Sequence, residues 1–498
     1  MTSQFFVRSA VCAAALFSAP AALADVTAAE VWDSWKANLT LYGQDGITIG
    51  DEVAEGGTLT VSSLALAIDD EDASVTAEFG PLVFTEQGDG TVAVTMPDSY
   101  PIMINDTSGG AEIDLLVKQE NMSIVVSGEP DAMNYDVSAD SYEVSVADIR
   151  GDEDVEGDML IKAQGLTGSY QTDISAGLDT TFAFTTAAID LLVDVKEPGG
   201  EGYVVFSGKM ADVRSDGQIK LPEGADLSDP ETFATDFTFQ SDTAFGQTGF
   251  IFDFDADGDA ASGSFEAGSM AFGGSMTPDV IDYSTSMSDA AVTVTAADFP
   301  IPVNVSLTSV ENVFTMPVSA GEEPSPFGYR MALTDLVVND EIWSMGDPTG
   351  ALPRDPASIV LDVSGMAKLF FDLMDPQQQE ALEFAEVPGE LISVAINDIL
   401  VSAVGAEVKA SGDFTFDNSD LETFDGLPRP MGELNIGITG ANALLDTLVS
   451  MGLLPQEQAT MGRMMMGMFT QPAGDDALTS QITINEDGHV LANGQRLR

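Results

Sequence analysis

Tyr142-Glu143-Val144-Ser145-Val146 alternates large apolar side chains with polar ones, and that period of two decides the fold. In a strand, successive side chains point to opposite faces, so strict alternation means one face buried and one wet. The same pattern recurs at Val92, Val94 and Met96, at Phe182 and Phe184, at Val303, Val305 and Leu307, and at Leu434, Ile436 and Ile438. Between these runs stand Asp45-Gly46, Asp89-Gly90, Asp216-Gly217, Asp257-Gly258, Asp425-Gly426, Asp487-Gly488 and Asn493-Gly494. Such pairs accept the positive φ of tight hairpin turns. The expected architecture is mainly β with a few helices: a long, strongly curved antiparallel meander, because a sheet of many strands must curl, split or close. No repeat of fixed period marks a propeller or solenoid.

The helical exceptions lie at the two ends. Thr27-Ala28-Ala29-Glu30 is a capping box, followed at helical spacing by Val31, Trp32, Trp35 and Leu39, with Gly43 as the expected terminator. Its two tryptophans are expected to staple this helix onto a sheet. In the C-terminal third, helices are expected over 366–374, 377–385, 441–453 and 456–469, the last two forming a hairpin around Pro455. A closing β-hairpin is expected from Gln481–Ile484 and His489–Leu491. Gly321-Glu322-Glu323-Pro324-Ser325-Pro326 reads as a hinge or long loop. The expected organisation is therefore 1–24 leader, 25–320 helix plus all-β meander, 321–326 hinge, and 327–498 α+β region.

Residues 1–24 have the parts of a secretory signal peptide. Arg8 supplies the positive charge, Ser9 to Ala22 an alanine-rich apolar core broken by Pro20, and Ala22-Leu23-Ala24 the small residues that cleavage before Asp25 requires. The apolar run is too short and too broken for a bilayer span. The expected location is periplasmic or secreted, with no transmembrane segment after cleavage.

Composition narrows the classes of function. The 498-residue chain carries 82 Asp and Glu against 17 Lys and Arg, a net charge of −65, and no basic residue stands between Lys220 and Arg330. Nucleic acids are recognised largely by phosphate neutralisation, so they are excluded as partners. Direct docking on anionic headgroups is disfavoured for the same reason. Cleavage of the leader removes the only cysteine, Cys12, so the mature chain has no disulfide and relies on packing. The acidity suits a soluble surface in a saline medium, with divalent-cation binding as the alternative.

Two local patterns are candidate sites. Asp253, Asp255, Asp257 and Asp259 alternate around Gly258 like the first half of a calcium loop, where hard carboxylate oxygens surround the ion. The twelfth position is Ser264 rather than glutamate, and strand-like residues precede the motif. The simpler reading is an acidic hairpin turn, and calcium is the one candidate cofactor. Met461, Met464, Met465 and Met468 fall on a single helical stripe. The bland reading is a buried helix face bordering the concave side of the sheet; the functional one is a plastic surface for a lipid or a partner protein. No catalytic motif appears: His489 is the only histidine, and neither a Gly-x-Ser-x-Gly elbow nor a Ser-x-x-Lys pair is present.

Trp343-Ser344-Met345-Gly346-Asp347-Pro348, Leu352-Pro353-Arg354-Asp355-Pro356, Asp425-Gly426-Leu427-Pro428-Arg429-Pro430-Met431-Gly432, Gly452-Leu453-Leu454-Pro455 and the ending Gly488-His489-Val490-Leu491-Ala492-Asn493-Gly494-Gln495-Arg496-Leu497 carry a resemblance. Together they resemble an exported alphaproteobacterial family known as domain of unknown function 2125, most clearly over 327–498. The resemblance implies no activity and no catalytic residues. The expected function is a non-enzymatic envelope protein holding a lipid or another hydrophobic component in a groove of its sheet. The alternatives are a periplasmic scaffold or adaptor and a calcium-dependent acidic surface module.

Overall fold

The computed structural model describes residues 25–39, 46–69, 73–106, 112–150, 156–197, 202–223, 225, 237–256, 258–385 and 387–498. Residues 1–24, where the leader is expected, Gly43 and Asp257 lie outside them. The chain opens with α1 (Ala28–Leu39). Its capping box forms as expected: the Glu30 carboxylate accepts from the Thr27 N–H at 2.9 Å, and the Glu30 N–H donates to Thr27 Oγ1 at 3.3 Å.

Ten short strands follow in two interleaved sets: β1 (Ile47–Ile49), β2 (Glu52–Glu55), β3 (Thr58–Val61), β4 (Leu64–Asp69), β5 (Ala73–Phe79), β6 (Leu82–Glu86), β7 (Val92–Thr95), β8 (Ser99–Asp106), β9 (Glu112–Glu120) and β10 (Ser123–Glu129). One set pairs in the order β1-β4-β5-β8-β9. The other pairs in the order β2-β3-β6-β7-β10. Both end on β11 (Ala132–Arg150), a strand long enough to serve two sheets. Its first half, Ala132–Ser138, takes β10, and its second half, Ser141–Arg150, takes β9.

The two five-stranded arms are thereby joined into one sheet. β12 (Glu156–Asp173), β13 (Leu178–Lys196) and β14 (Tyr203–Leu221) continue it at full length. Past β14 each position is filled by two half-length strands. β15 (Thr238–Phe245) pairs with the second half of β14, and β16 (Thr248–Ala256) with the first half. β17 (Asp259–Ala267) extends β16, β18 (Ser269–Met276) extends β15, and β19 (Val280–Ala296) reunites them. β20 (Phe299–Pro317), β21 (Ser325–Val338), β22 (Ala357–Leu369), β23 (Gly389–Ala403), β24 (Ala406–Asp417) and β25 (Arg429–Thr439) follow as successive antiparallel neighbours. β27 (Ala477–Ile484) is the last long strand, and β26 (Gln471–Gly474), β28 (Val490–Ala492) and β29 (Gln495–Arg496) close its outer edge. The expected closing hairpin is β27 and β28. The 321–326 stretch is the connection from β20 into β21, and the sheet runs through it unbroken.

Helices α2 (Asp340–Gly346), α3 (Pro376–Glu383), α4 (Ala441–Ser450) and α5 (Gln456–Phe469) lie between the C-terminal strands. Three of the expected helices form, with ends shifted by at most a few residues. The fourth, over 366–374, does not: Met366 to Leu369 belong to β22, where Lys368 pairs with Glu390 and Leu369 with Gly389. Their helix-favouring composition yields to an available strand edge, because strand formation follows cross-strand packing more than local propensity.

The main core sits at the N-terminal end. Val31 and Trp32 of α1 are buried against Val61, Leu82, Phe84, Val92 and Val126 of the second arm and Tyr135 of β11. Ile47, Ile49, Leu66 and Phe79 of the first arm pack onto the same cluster. The tryptophans do staple the helix: Trp32 and Trp35 both meet the Phe84 ring, at 5.6 and 5.4 Å between centroids. Trp32 Nε1 donates to Glu52 at 3.0 Å, so its polar atom is not wasted.

Candidate functional site

Residues paired across strands share a face, so the register can be read as lines running along the sheet. One line is Tyr135, Tyr170, Phe182, Gly217, Ser241, Gly274, Tyr283, Phe314, Tyr329, Val363, Ile396, Gly412, Leu434 and Ile482. In the other half of the strands a second line is Tyr100, Val117, Val144, Ile161, Leu191, Gly208, Phe250, Phe265, Val292, Val305 and Val338. Neither contains a charge. The neighbouring lines on the opposite face are polar: Lys118, Glu143, Lys162, Asp190, Lys209, Gly249 and Glu266 in one half, and Gln171, Thr181, Gln218, Gln240, Ser275, Asp282 and Thr315 in the other.

The alternation slips by one residue in the middle of the long strands. Within β13 the apolar positions are Phe182 and Phe184, then Ile189, Leu191 and Val193. Within β14 they are Val204, Phe206 and Met210, then Val213 and Ile219. The pairing ladder breaks at this point between β11 and β12, β13 and β14, and β19 and β20. Gly165, Asp212, Asp289 and Asp335 adopt left-handed φ values of 50 to 64° there, in β12, β14, β19 and β21. A residue out of strand geometry bends the strand and resets which side its neighbours face. Because the strands slip together, their register survives and the sheet acquires a crease along its length.

The two apolar half-faces lie on the same, concave side of that crease. At the N-terminal end, Leu64, Leu66 and Phe79 from one half and Leu82, Met96 and Tyr170 from the other line a single cavity. Exposure along the crease agrees. On the apolar side Thr248, Ala267 and Ala290 are only 1, 2 and 2% exposed, although small, whereas the larger Ile161, Val204 and Tyr283 farther up the walls are 55, 48 and 45% exposed. Small residues covered and large ones open describe the floor and walls of a trough. One half-face crosses fourteen strand positions from β11 to β27, about 60 Å at ~4.8 Å per strand, and the other runs from β8 to β21.

Aromatic rings lie flat on this floor. Phe184 covers Gly168, Phe182 covers Gly217, Phe250 covers Gly208, Phe252 covers Gly263 and Phe327 covers Gly365, each pair directly opposite in the ladder. A methyl group at any of these glycines would overlap the ring. Phe250 also stacks between Phe206 and Phe265, at 5.4 and 5.9 Å. Glycine thus keeps the rings low and leaves the space above them free. The sequence marks Phe182 and Phe184 as alternating apolar residues and Asp216-Gly217 as a turn, but Gly217 lies inside β14 opposite Phe182, which corrects that turn. The pairing of ring with glycine has no local signature, because the partners lie on different strands.

The residues that were singled out fare differently. The methionine stripe is in solvent: Met461, Met464, Met465 and Met468 are 54 to 64% exposed, which corrects the expectation of a buried face. α5 instead buries Ala459, and Arg463 reaches across to Asn442 and Asp446 of α4. The hairpin is held to the sheet by Asp476, whose carboxylate accepts from the Asn442 and Ala443 N–H groups at 3.1 and 2.9 Å. Burial opposes ionisation there, but those backbone donors outweigh it and hold the Asp476 carboxyl below its usual range. Replacing Met464 and Met468 together by serine is expected to change stability by no more than about 0.5 kcal/mol, as for exposed sites generally. Chemical denaturation checks it, and a loss of several kcal/mol would return the stripe to the core.

Asp253 and Asp255 lie on the polar face of β16, and Asp259 begins β17. Asp253 accepts from the Tyr203 hydroxyl at 2.9 Å, and Asp255 from the Gly258 N–H at 2.8 Å, closing the turn between the two strands. Among the described residues no group of three or more His, Cys, Asp or Glu is arranged to hold a metal ion. Asp347, in the Trp343–Pro348 motif, is a loop organiser: its carboxylate accepts from the Leu352 and Ala351 N–H groups, and these bonds hold its carboxyl below the ordinary range. Among the described residues no helix is long and apolar enough to cross a membrane.

Fold and site together define a class, a β-protein built as one creased sheet with an apolar trough open along its length. Residues 254–495 match the model of a family described as an uncharacterized protein conserved in bacteria (DUF2125). The match begins in β16 and ends in β29, so it spans the C-terminal half of the trough and starts well before the 327–498 region where the sequence motifs show it most clearly. No curated protein matches the chain.

Proposed function

We propose that the protein holds the acyl chains of a lipid, or another hydrophobic component of the cell envelope, along the trough, and performs no chemical step of its own. One observation carries this reading: among the described residues, an uncharged apolar face some fourteen strands long has no second layer over most of its length, and leaves side chains such as Ile161 and Tyr283 about half exposed. Monomeric proteins rarely leave so large an apolar surface without an occupant. The flat aromatic floor supports a chain-like guest, since it offers contact area without side chains projecting into the path. The acidic residues of the outer face keep the trough protein soluble, and the leader directs it to the periplasm, where such molecules occur. The exposed methionines of α5 favour a second contact of the same protein, with a membrane or a partner protein that delivers or receives the lipid.

Purification of the native protein followed by solvent extraction and mass spectrometry tests the reading. Lipid is expected at roughly one or more molecules per chain. Phe252→Asp with Phe314→Asp places one charge on each wall, and burying an unpaired carboxylate against acyl chains costs several kcal/mol. The bound lipid is expected to fall at least tenfold while the circular-dichroism spectrum stays that of a β-protein. An unchanged lipid load in this variant, or a lipid-free wild-type protein, rules the reading out.

A further inference from the structure

The trough is not alike at its two ends. At β11 it runs beneath α1: Tyr135 on the floor is fully buried, and its ring stacks at 4.4 Å on Tyr170, the next residue along the line. Beside Tyr170 the two walls and the helix line an apolar pocket of about 260 Å³ that is open on one side. Trp35 and Leu39 form its helix side, Leu66 and Phe79 one wall, and Met96 and Tyr170 the other. Asn38 is the one amide side chain among its described lining, beside the Tyr170 hydroxyl and the Trp35 indole, and no lining residue carries a charge. Burial pushes the Tyr170 hydroxyl well above the ordinary tyrosine range, in keeping with a dry site.

Building on the trough reading, we infer that this cavity is the seat of the methyl end of one acyl chain, so that a lipid lies tail-inward with its headgroup toward the C-terminal strands. An apolar cavity of ~150 Å³ takes a benzene-sized guest, so one of this size takes about ten carbons of a chain. An uncharged lining excludes a carboxylate or phosphate end, because a lone charge there would have no partner. Continuity through Tyr170 to Phe182 lets the rest of the chain lie on the open floor, where Phe182 is only partly buried. The stop formed by α1 then makes occupancy depend on chain length.

Two photoreactive sixteen-carbon fatty acids test it on the full-length native protein. One carries a diazirine at its methyl end and the other beside its carboxyl group; peptides are mapped by mass spectrometry after irradiation. The methyl-end probe is expected to label Leu39, Leu66, Phe79 and Met96, and the carboxyl-side probe to label trough strands such as β13 and β16. Methyl-end labelling spread evenly along the trough overturns the cavity assignment and leaves the trough reading intact. Labelling by both probes no greater than that of the denatured protein overturns both. Leu66→Trp, which fills the cavity with apolar volume, is expected to shift methyl-end labelling onto β13 with a melting temperature within a few degrees of wild type. If the variant folds and cavity labelling persists, the inference fails. If it does not fold, Met96→Trp on the opposite wall makes the same comparison.

Discussion

Trp32→Ala is expected to destabilise the protein by about 3–5 kcal/mol, the range for removing a fully buried large aromatic side chain. Trp32 is 1% exposed and lies among Phe84, Val61 and Val92, where both arms of the sheet and α1 share a core. Its loss leaves a cavity that rigid strands on two sides cannot collapse into. It also leaves Glu52 without its indole donor and removes the ring beneath the Lys36 ammonium, 5.7 Å from its centroid. Because α1 closes the trough, the same variant is expected to loosen the helix before the sheet unfolds. Denaturant titration followed by tryptophan fluorescence, with far-ultraviolet circular dichroism alongside, measures both effects. A loss below about 1 kcal/mol would mean that α1 is not part of the cooperative core.

Deleting Asp212 is expected to be more damaging than any substitution there. Asp212 is the residue at which β14 slips phase, with φ of 50°. Removing it restores strict alternation through the strand and turns Val204, Phe206 and Met210 toward the polar face, since a shift of one residue inverts every side chain. These side chains are partly buried, and losing their contacts costs about 3–5 kcal/mol in total at ~1.5–3 kcal/mol for each full burial. Asp212→Gly keeps the inserted residue and relieves the left-handed backbone, so it is expected to be neutral or stabilising by up to about 1 kcal/mol. Comparing the two by thermal denaturation isolates the crease from the carboxylate. Equal behaviour of the deletion and the glycine variant would mean that the slip has no part in shaping the trough.

Much of this fold is legible in the chain itself. Alternation at Tyr142–Val146, Phe182–Phe184, Val303–Leu307 and Leu434–Ile438 places every one of those apolar residues on the trough side. The Asn493-Gly494 and Asp425-Gly426 turns take the positive φ values their composition implies. The capping box of α1 and the bounds of α5 follow from local chemistry alone. The phase slip was also present in the sequence, between Phe184 and Ile189, but a break in alternation is ordinarily read as the end of a strand. It is recognisable as a crease only when many adjacent strands slip at the same line.

The methionine stripe shows the opposite limit. Its spacing fixes that Met461, Met464, Met465 and Met468 share one face of a helix, and they do. Whether that face meets the sheet or water depends on how α4 and α5 dock, and that is set by the Asp476 carboxylate on the α4 N-terminus and by Arg463 on Asn442. Neither contact has a local sequence signature.

Local chemistry in the chain was enough for the secondary-structure class, the alternation of most strands and most of the turns, because these depend on residues near one another; Asp216-Gly217, a turn by composition, lies inside β14. That two apolar half-faces belong to one concave trough, that phenylalanines lie over glycines of neighbouring strands, and that α1 packs at one end became visible in the folded chain. Those features arise from pairing between distant segments, where register, rather than local propensity, fixes which side chains meet.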